Sequence, residues 1–149
     1  MTEPMTLYLV KQLELAVRSR LDDIFRPAGL TTIQYTALTV LERHPDMSSA
    51  QLARNSFVAA QSMAELVMAL EERGLIERHG DPADRRRRVV RLTARGQGVL
   101  DQFRDPVAAV EAEMLGGLTA TEVARLRRVL RSCHDNLAAQ PERSRKRTA

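Results

Sequence analysis

One segment in the middle of the chain constrains the fold most. Leu75-Ile76-Glu77-Arg78-His79-Gly80 runs into Asp81-Pro82-Ala83-Asp84, then Arg85-Arg86-Arg87-Arg88, and returns through Val89-Val90-Arg91-Leu92. Two short apolar runs therefore flank a stretch whose Gly, Asp and Pro supply turn chemistry. The pattern predicts a β-hairpin with its arginines at tip and root, where nothing can bury them. Four adjacent cations on one turn repel each other unless they meet an anionic partner, and duplex DNA is the commonest one.

Helical periodicity surrounds this hairpin. Leu7, Val10, Leu13, Val17, Leu21 and Ile24 recur at threes and fours and predict a first helix over about 7–26, ended by Pro27 and Gly29. Thr31 or Thr32 can cap a second helix through about Arg43, with Tyr35, Leu38 and Leu41 inward. Ser48-Ser49-Ala50-Gln51 has capping-box spacing and opens a short third helix through about Arg54. A turn over Asn55-Ser56-Phe57-Val58 leads to a fourth helix over about 60–73, with Gly74 where a left-handed cap is needed. Two consecutive helices with a tight turn, then a hairpin, make a winged helix-turn-helix, with Leu52, Met63, Val67 and Leu70 as its small core. After the hairpin, Thr93 can cap a fifth helix to about Leu115. Its interior Pro106 should bend or break it. A sixth helix over about 119–138 carries Val123, Leu126, Leu130, Cys133 and Leu137 on one face. The fold class is thus mainly α with a small β-wing. The first, fifth and sixth helices carry narrow apolar stripes that suggest a helical bundle shared between two copies of the chain.

Length and charge fit a single domain, 1–149, with unevenly distributed cations. Residues 80–95 hold six arginines and two aspartates, a charge of +4; residues 141–149 add +3. Against a net charge of +4, the remainder of the chain is at −3. A mildly acidic body with two basic appendages suits a protein that grips a polyanion with one part of itself. The five aromatic residues, Tyr8, Phe25, Tyr35, Phe57 and Phe103, all lie outside the basic stretches. Single-stranded nucleic acid is usually held on aromatic platforms, so this layout favours duplex DNA over RNA. The last stretch, 140–149, reads as a basic disordered tail.

Other chemistry is poorly supported. Cys133 is the one cysteine, so no internal disulfide framework is expected, and its place on an apolar stripe predicts a core residue. His44, His79 and His134 are isolated and no metal site is expected. No Gly-rich phosphate loop or nucleophile elbow occurs, so neither an enzyme nor a cofactor is expected. With no apolar run of about 18 residues and no leader-like N-terminus, the expectation is a cytoplasmic protein without a membrane partner.

The order and spacing of several motifs resemble the multiple-antibiotic-resistance regulator (MarR) family of transcription factors. The match lies in Leu70-Glu71-Glu72-Arg73-Gly74-Leu75-Ile76-Glu77-Arg78, then Asp81-Pro82-Ala83-Asp84-Arg85-Arg86, then Val90-Arg91-Leu92-Thr93-Ala94-Arg95-Gly96. Gln34-Tyr35 with Leu38 and Leu41, and Ser49-Ala50-Gln51-Leu52-Ala53, support it. The resemblance covers about residues 7–138. It implies a triangular homodimer whose helices at 7–27 and 94–139 interlock, with two winged modules (31–93) on a palindromic operator. It also implies repression of efflux, detoxification or aromatic-breakdown genes, relieved by a small phenolic or aromatic acid. In the wing, Asp84 would fix the arginines by ion pairing, and Arg86, helped by Arg85, would enter the minor groove, where narrow width concentrates negative potential. Arg87 and Arg88 exceed the family's pattern and would meet phosphates. With about eight phosphates neutralised per dimer, log K would fall with a slope near −7 against log salt.

The recognition helix departs from the family. Its outward residues are Gln61, Ser62, Ala64, Glu65 and Ala69, with no cation among them. Gln can pair with adenine, Ser with either kind of partner, and Glu can accept from cytosine N4 while repelling phosphate. Ala59 and Ala60 stand where a polar cap would hold a phosphate. The wing is thus expected to supply most of the affinity. By position, Arg18, Tyr35 and His44 can face a ligand cleft, with Arg18 pairing a carboxylate; a surface arginine and a packed tyrosine explain the same residues. The alternative function is a low-specificity winged-helix protein that coats or organises DNA. A winged helix that binds only proteins fits the arginines least.

Overall fold

The computed structural model describes residues 2–56 and 59–139. Phe57 and Val58, from the expected turn, and the basic tail at 140–149 lie outside the described residues. The element order is α1 (Thr6–Phe25), a 3-10 turn (Arg26–Ala28), α2 (Thr32–Arg43), α3 (Ser49–Ser56), α4 (Ala60–Glu72), β1 (Ile76–Gly80), β2 (Arg88–Leu92), α5 (Ala94–Met114) and α6 (Ala120–Ala138). Among the described residues no helix is long and apolar enough to cross a membrane. The chain divides into two units, Met1–Val110 and Glu111–Ala149.

Helix starts in the first unit follow from local hydrogen bonding. Thr31 and Gln34 satisfy each other's backbone N–H groups at the start of α2, both at 3.1 Å. Ser48 and Gln51 do the same for α3, at 3.2 Å and 3.0 Å. Each box removes two orphan donors that a helix start would otherwise leave. Gly74, with φ of 70°, lets the chain leave α4 through a left-handed residue and turn into β1. The α4 C-terminus is further tied down by Arg73, whose guanidinium donates to Ala28 O at 2.7 Å and Gly29 O at 2.9 Å.

The core of this unit joins one face of each element. Phe25, Leu38, Leu41, Leu52, Met63, Val67, Leu70, Leu75, Ile76 and Leu100 are almost wholly buried. The Leu52, Met63, Val67 and Leu70 set therefore packs as its spacing predicts. Strands β1 and β2 are antiparallel, with Ile76 opposite Leu92 and Gly80 opposite Arg88. Met47, in the α2–α3 connection, adds a bridge to β2, its carbonyl accepting from Val90 N at 2.7 Å. Helix α5 is continuous through Pro106. The expected break does not occur: Pro106 and Gln102 are both exposed, so the carbonyl deprived of its donor stays open to water.

Only the last turns of α1 enter this core, through Leu21, Ile24 and Phe25. Leu7 is 69% exposed and Leu13 44%, so the N-terminal part of the predicted stripe is uncovered in the single chain. In the second unit, a Thr119–Glu122 capping box starts α6, at 2.8 Å and 3.2 Å. Arg127 on α6 donates to Glu111 at 3.3 Å. Leu130 is 45% exposed and Leu137 70%. Cys133 on this face is exposed, which corrects the expected core cysteine: Val123 and Leu126 are half-buried, but the stripe is exposed from Leu130 onward.

Candidate nucleic-acid interface

Helix α4 divides into two faces. Met63, Val67 and Leu70 point into the core, while Gln61, Ser62 and Glu65 are exposed together on the opposite side. Its N-cap, Ala59, offers no side-chain acceptor, so no side chain competes for the first-turn amides. The exposed face carries no cation, Ala64 is exposed with it while Ala69 is half-buried, and the helix N-terminus has no side-chain cap.

The wing tip is folded by its aspartates. Asp81 Oδ1 accepts from Ala83 N at 2.9 Å, and Asp84 Oδ1 accepts from Arg86 N at 3.0 Å. Backbone bonds from Asp81 N to Arg87 O (2.9 Å), Arg87 N to Asp84 O (3.0 Å) and Asp84 N to Asp81 O (3.2 Å) close the turn. Two successive Asx-type turns make the tip stiff without any apolar packing. Arg85, Arg86 and Arg88 are exposed, and among the described residues their guanidinium groups have no hydrogen-bond or ion-pair partner. Three free cations on a stiff projection form a local field that attracts a polyanion.

One expectation for the wing needs correction. Asp84 forms no ion pair with the arginines among the described residues, because its carboxylate is turned onto the Arg86 amide. The ion pair is made by Asp81, which lies across the turn from Arg87, with Oδ2 3.7 Å from its Nε. Arg87 is half-buried. Its Nη2 donates to Gln51 Oε1 on α3, so only three of the four consecutive arginines are free.

A second tether runs from β2 to the α2–α3 connection. Arg91 holds Asp46 in a fork, Nε to Oδ1 and Nη2 to Oδ2, the latter at 3.2 Å. This hydrogen-bonded pairing keeps the Asp46 carboxyl below its usual pKa and raises that of Arg91. Asp46 has φ of 66°, a left-handed conformation that Asp tolerates better than most residues. Asp46, Gln51, Asp81 and Arg91 were absent from the sequence-predicted site. Gln51 was visible only as a capping residue, and nothing local marks Asp46 and Arg91, 45 residues apart, as partners.

The three candidate ligand residues have separate surroundings. Arg18 is exposed and pairs with Glu14 one turn earlier, its Nε at 2.8 Å, which lowers the Glu14 pKa. Tyr35 stacks on Phe25, centroids 4.4 Å apart and planes at 24°, and meets Phe103 edge-on at 6.4 Å. Burial raises its hydroxyl pKa. His44 is exposed at the α2 C-cap, about 13 Å along the helix from Tyr35. No hydrogen bond, ion pair or ring contact among the described residues links the three. Among the same residues no group of three His, Cys, Asp or Glu side chains is placed to hold a metal ion.

Comparison with known proteins supplies the context for this geometry. The HTH-type transcriptional repressor Rv2887 of Mycobacterium tuberculosis is 31% identical over 123 residues, 83% of this chain and 88% of that protein. CouR from Rhodococcus jostii RHA1, solved bound to p-coumaroyl-CoA, is 26% identical and superposes with a TM-score of 0.78 over 85% of this chain and 89% of CouR. MepR of S. aureus, solved as a DNA complex, is 20% identical and shares the fold, with a TM-score of 0.80 over 90% of this chain and 99% of MepR. The MarR family model matches residues 28–87, from the end of the 3-10 turn to the wing arginines. With that match, and the repressor's similarity across most of the chain, the protein belongs to the MarR family of winged-helix transcriptional regulators.

Proposed function

We propose that this chain represses transcription as a homodimer on a palindromic duplex operator, with α4 in the major groove and the wing in the minor groove. The observation that carries this reading is the wing tip closed by two Asx-type turns with three partnerless guanidinium groups, following a helix that exposes Gln61, Ser62 and Glu65. Arg86, helped by Arg85, enters the minor groove; Arg88 meets phosphate. Gln61 and Glu65 read base edges, adenine and cytosine being their natural partners. Helices α1, α5 and α6 form the dimer contact through their uncovered apolar stripes, and the protein works in the cytoplasm. A gel-shift titration on a duplex selected by the wild-type protein from a randomised library tests the balance. Arg86→Ala is expected to cost far more affinity than Gln61→Ala, and equal losses would reject a wing-dominated complex.

The complex is released by a small aromatic or phenolic acid, as the CouR complex with p-coumaroyl-CoA suggests by kinship. Arg18 would meet its acidic group, and Tyr35 and His44 remain the other candidates. A thermal-shift screen of aromatic acids is expected to find a stabilising compound whose effect is lost in Arg18→Ala. No shift for any compound would leave a constitutive repressor. One observation favours a second reading, that of a low-specificity DNA-organising protein: α4 presents an acidic residue and no cation on its exposed face. The ratio of selected to random duplex affinity at fixed salt separates the two, and a ratio above roughly a thousand supports the regulator.

A further inference from the structure

We propose that Arg87 is a positioning residue that locks the wing to α3 through Gln51, and that it does not contact DNA. Gln51 Oε1 is the centre of the arrangement. It accepts from Ser48 N at 3.0 Å and Ser48 Oγ at 3.3 Å, which caps α3, and it also accepts from Arg87 Nη2. On its other edge the guanidinium faces Asp81, 3.7 Å away. The Arg87 backbone is held on both sides as well, through Asp84 O and Asp81 N. Of the four consecutive arginines it alone is half-buried. Its charge is therefore partly neutralised within the protein, whereas those of Arg85, Arg86 and Arg88 have no partner among the described residues.

The consequence is geometric. Strand β2 and the arginine just before it are hydrogen-bonded to the α2–α3 region at three points: Arg91 on Asp46, Val90 N on Met47 O, and Arg87 on Gln51. The third point lies nearest the wing tip and joins it to the helix that precedes α4. Major-groove and minor-groove contacts made by one protomer must fit a fixed separation on DNA. A wing whose angle is set before binding loses less freedom on binding. The Arg87–Gln51 contact thus sets how far Arg86 sits from Gln61, while adding no released counterion of its own.

The inference rests on the DNA-binding reading only for its affinity arm; the other arm needs no DNA. In the free protein, Arg87→Met and Gln51→Ala are each expected to speed hydrogen exchange at the Asp81 and Arg87 amides. Ser48→Ala, which weakens the α3 cap but leaves the Gln51 acceptor, is expected to leave wing exchange unchanged. On the selected duplex, Arg87→Met is expected to lower affinity on the order of ten-fold with an unchanged salt slope. Arg86→Ala should make the slope shallower by about 2 per dimer. Combining Arg87→Met with Gln51→Ala should cost less than the sum of the two single losses, since both break the Arg87–Gln51 contact. Gln51→Glu, which keeps the acceptor, should bind like the wild type. A shallower slope in Arg87→Met with unaltered wing exchange would make Arg87 a phosphate ligand and overturn the proposal. Additive losses, or no change in exchange and affinity, would overturn it too. If the wild-type protein bound no duplex, the DNA reading would fall, and the exchange measurements would still decide the lock.

Discussion

At position 96 a methyl group has nowhere to go. A Cβ built on Gly96 would lie 2.1 Å from Leu75 O and 2.7 Å from Leu92 Cδ1, so the start of α5 touches the backbone where α4 turns into β1. The contact is reinforced by Thr93, whose Oγ1 donates to Gly74 O at 2.6 Å and accepts from Gly96 N at 3.0 Å. Gly96→Ala must therefore push α5 off the hairpin root, at a cost of roughly 1–3 kcal/mol. Gly98, two residues on, has nothing within 4 Å of such a Cβ. Gly98→Ala should be stabilising by about 0.5–1 kcal/mol through backbone entropy. Thermal melts of the two variants are expected to move in opposite directions; a parallel shift would mean that the Gly96 contact is not limiting. The Gly96 position was legible in the sequence as part of a family motif, but its cause was not. The oxygen it approaches belongs to a residue 21 positions away, and only the fold brings the two together.

At the scale of elements, α2 and α5 are joined by a polar cluster on the protein surface. Glu42 accepts from Gln97 Nε2 at 2.9 Å and Arg104 Nη2 at 2.7 Å, and Asp101 accepts from the same two donors at 3.2 Å and 2.9 Å. Hydrogen bonds from Gln97 and Arg104 lower the Glu42 pKa, and those from Arg104 and Gln97 lower that of Asp101. Both folded values lie below the unfolded ones, so the stabilisation is complete above about pH 4–5 and fades as acid protonates the folded carboxyls. The thermal midpoint is expected to fall on acidification from neutral pH through that window. Glu42→Gln should flatten part of the acid limb, by a few degrees at most because exposed pairs are screened. An unchanged acid limb would show that the cluster contributes nothing to holding α5. Element boundaries were largely legible beforehand, because they are written in local chemistry: Thr31 with Gln34, Ser48 with Gln51, Thr119 with Glu122, and Gly74. Tethers between elements were not. Arg87 reads in the sequence as a phosphate-contacting cation like Arg88, and only the placement of α3 beside the hairpin distinguishes the two. Pro106 misled for a related reason, since whether a proline breaks a helix depends on whether water can reach the abandoned carbonyl.

At the scale of the whole molecule, the number of free cations and the number of chains on DNA are linked through salt dependence. With Arg87 engaged inside the protein, each wing brings three free arginines, so a dimer brings six. The expected slope of log K against log salt is then about −5, shallower than the −7 that four arginines per wing would imply. A single chain would show a slope of only about −3 from the same three arginines. The uncovered stripes decide which applies: Leu13 on α1 and Leu130 on α6 are both nearly half exposed, on faces that carry further exposed leucine and valine. Covering such faces is favourable at about 25 cal/mol per Å² of apolar surface. Leu13→Glu and Leu130→Glu place a charge in each stripe, far in sequence from every wing and α4 residue. Sedimentation should find the wild type as a dimer and each variant as a monomer. Because two half-sites one helical turn apart can no longer be held together, both variants should also lose the selected duplex at physiological salt. At low salt, what binding remains should follow the shallower slope. A variant that became monomeric and still bound with the dimer's slope would show that one wing suffices, and the operator would then need no palindrome.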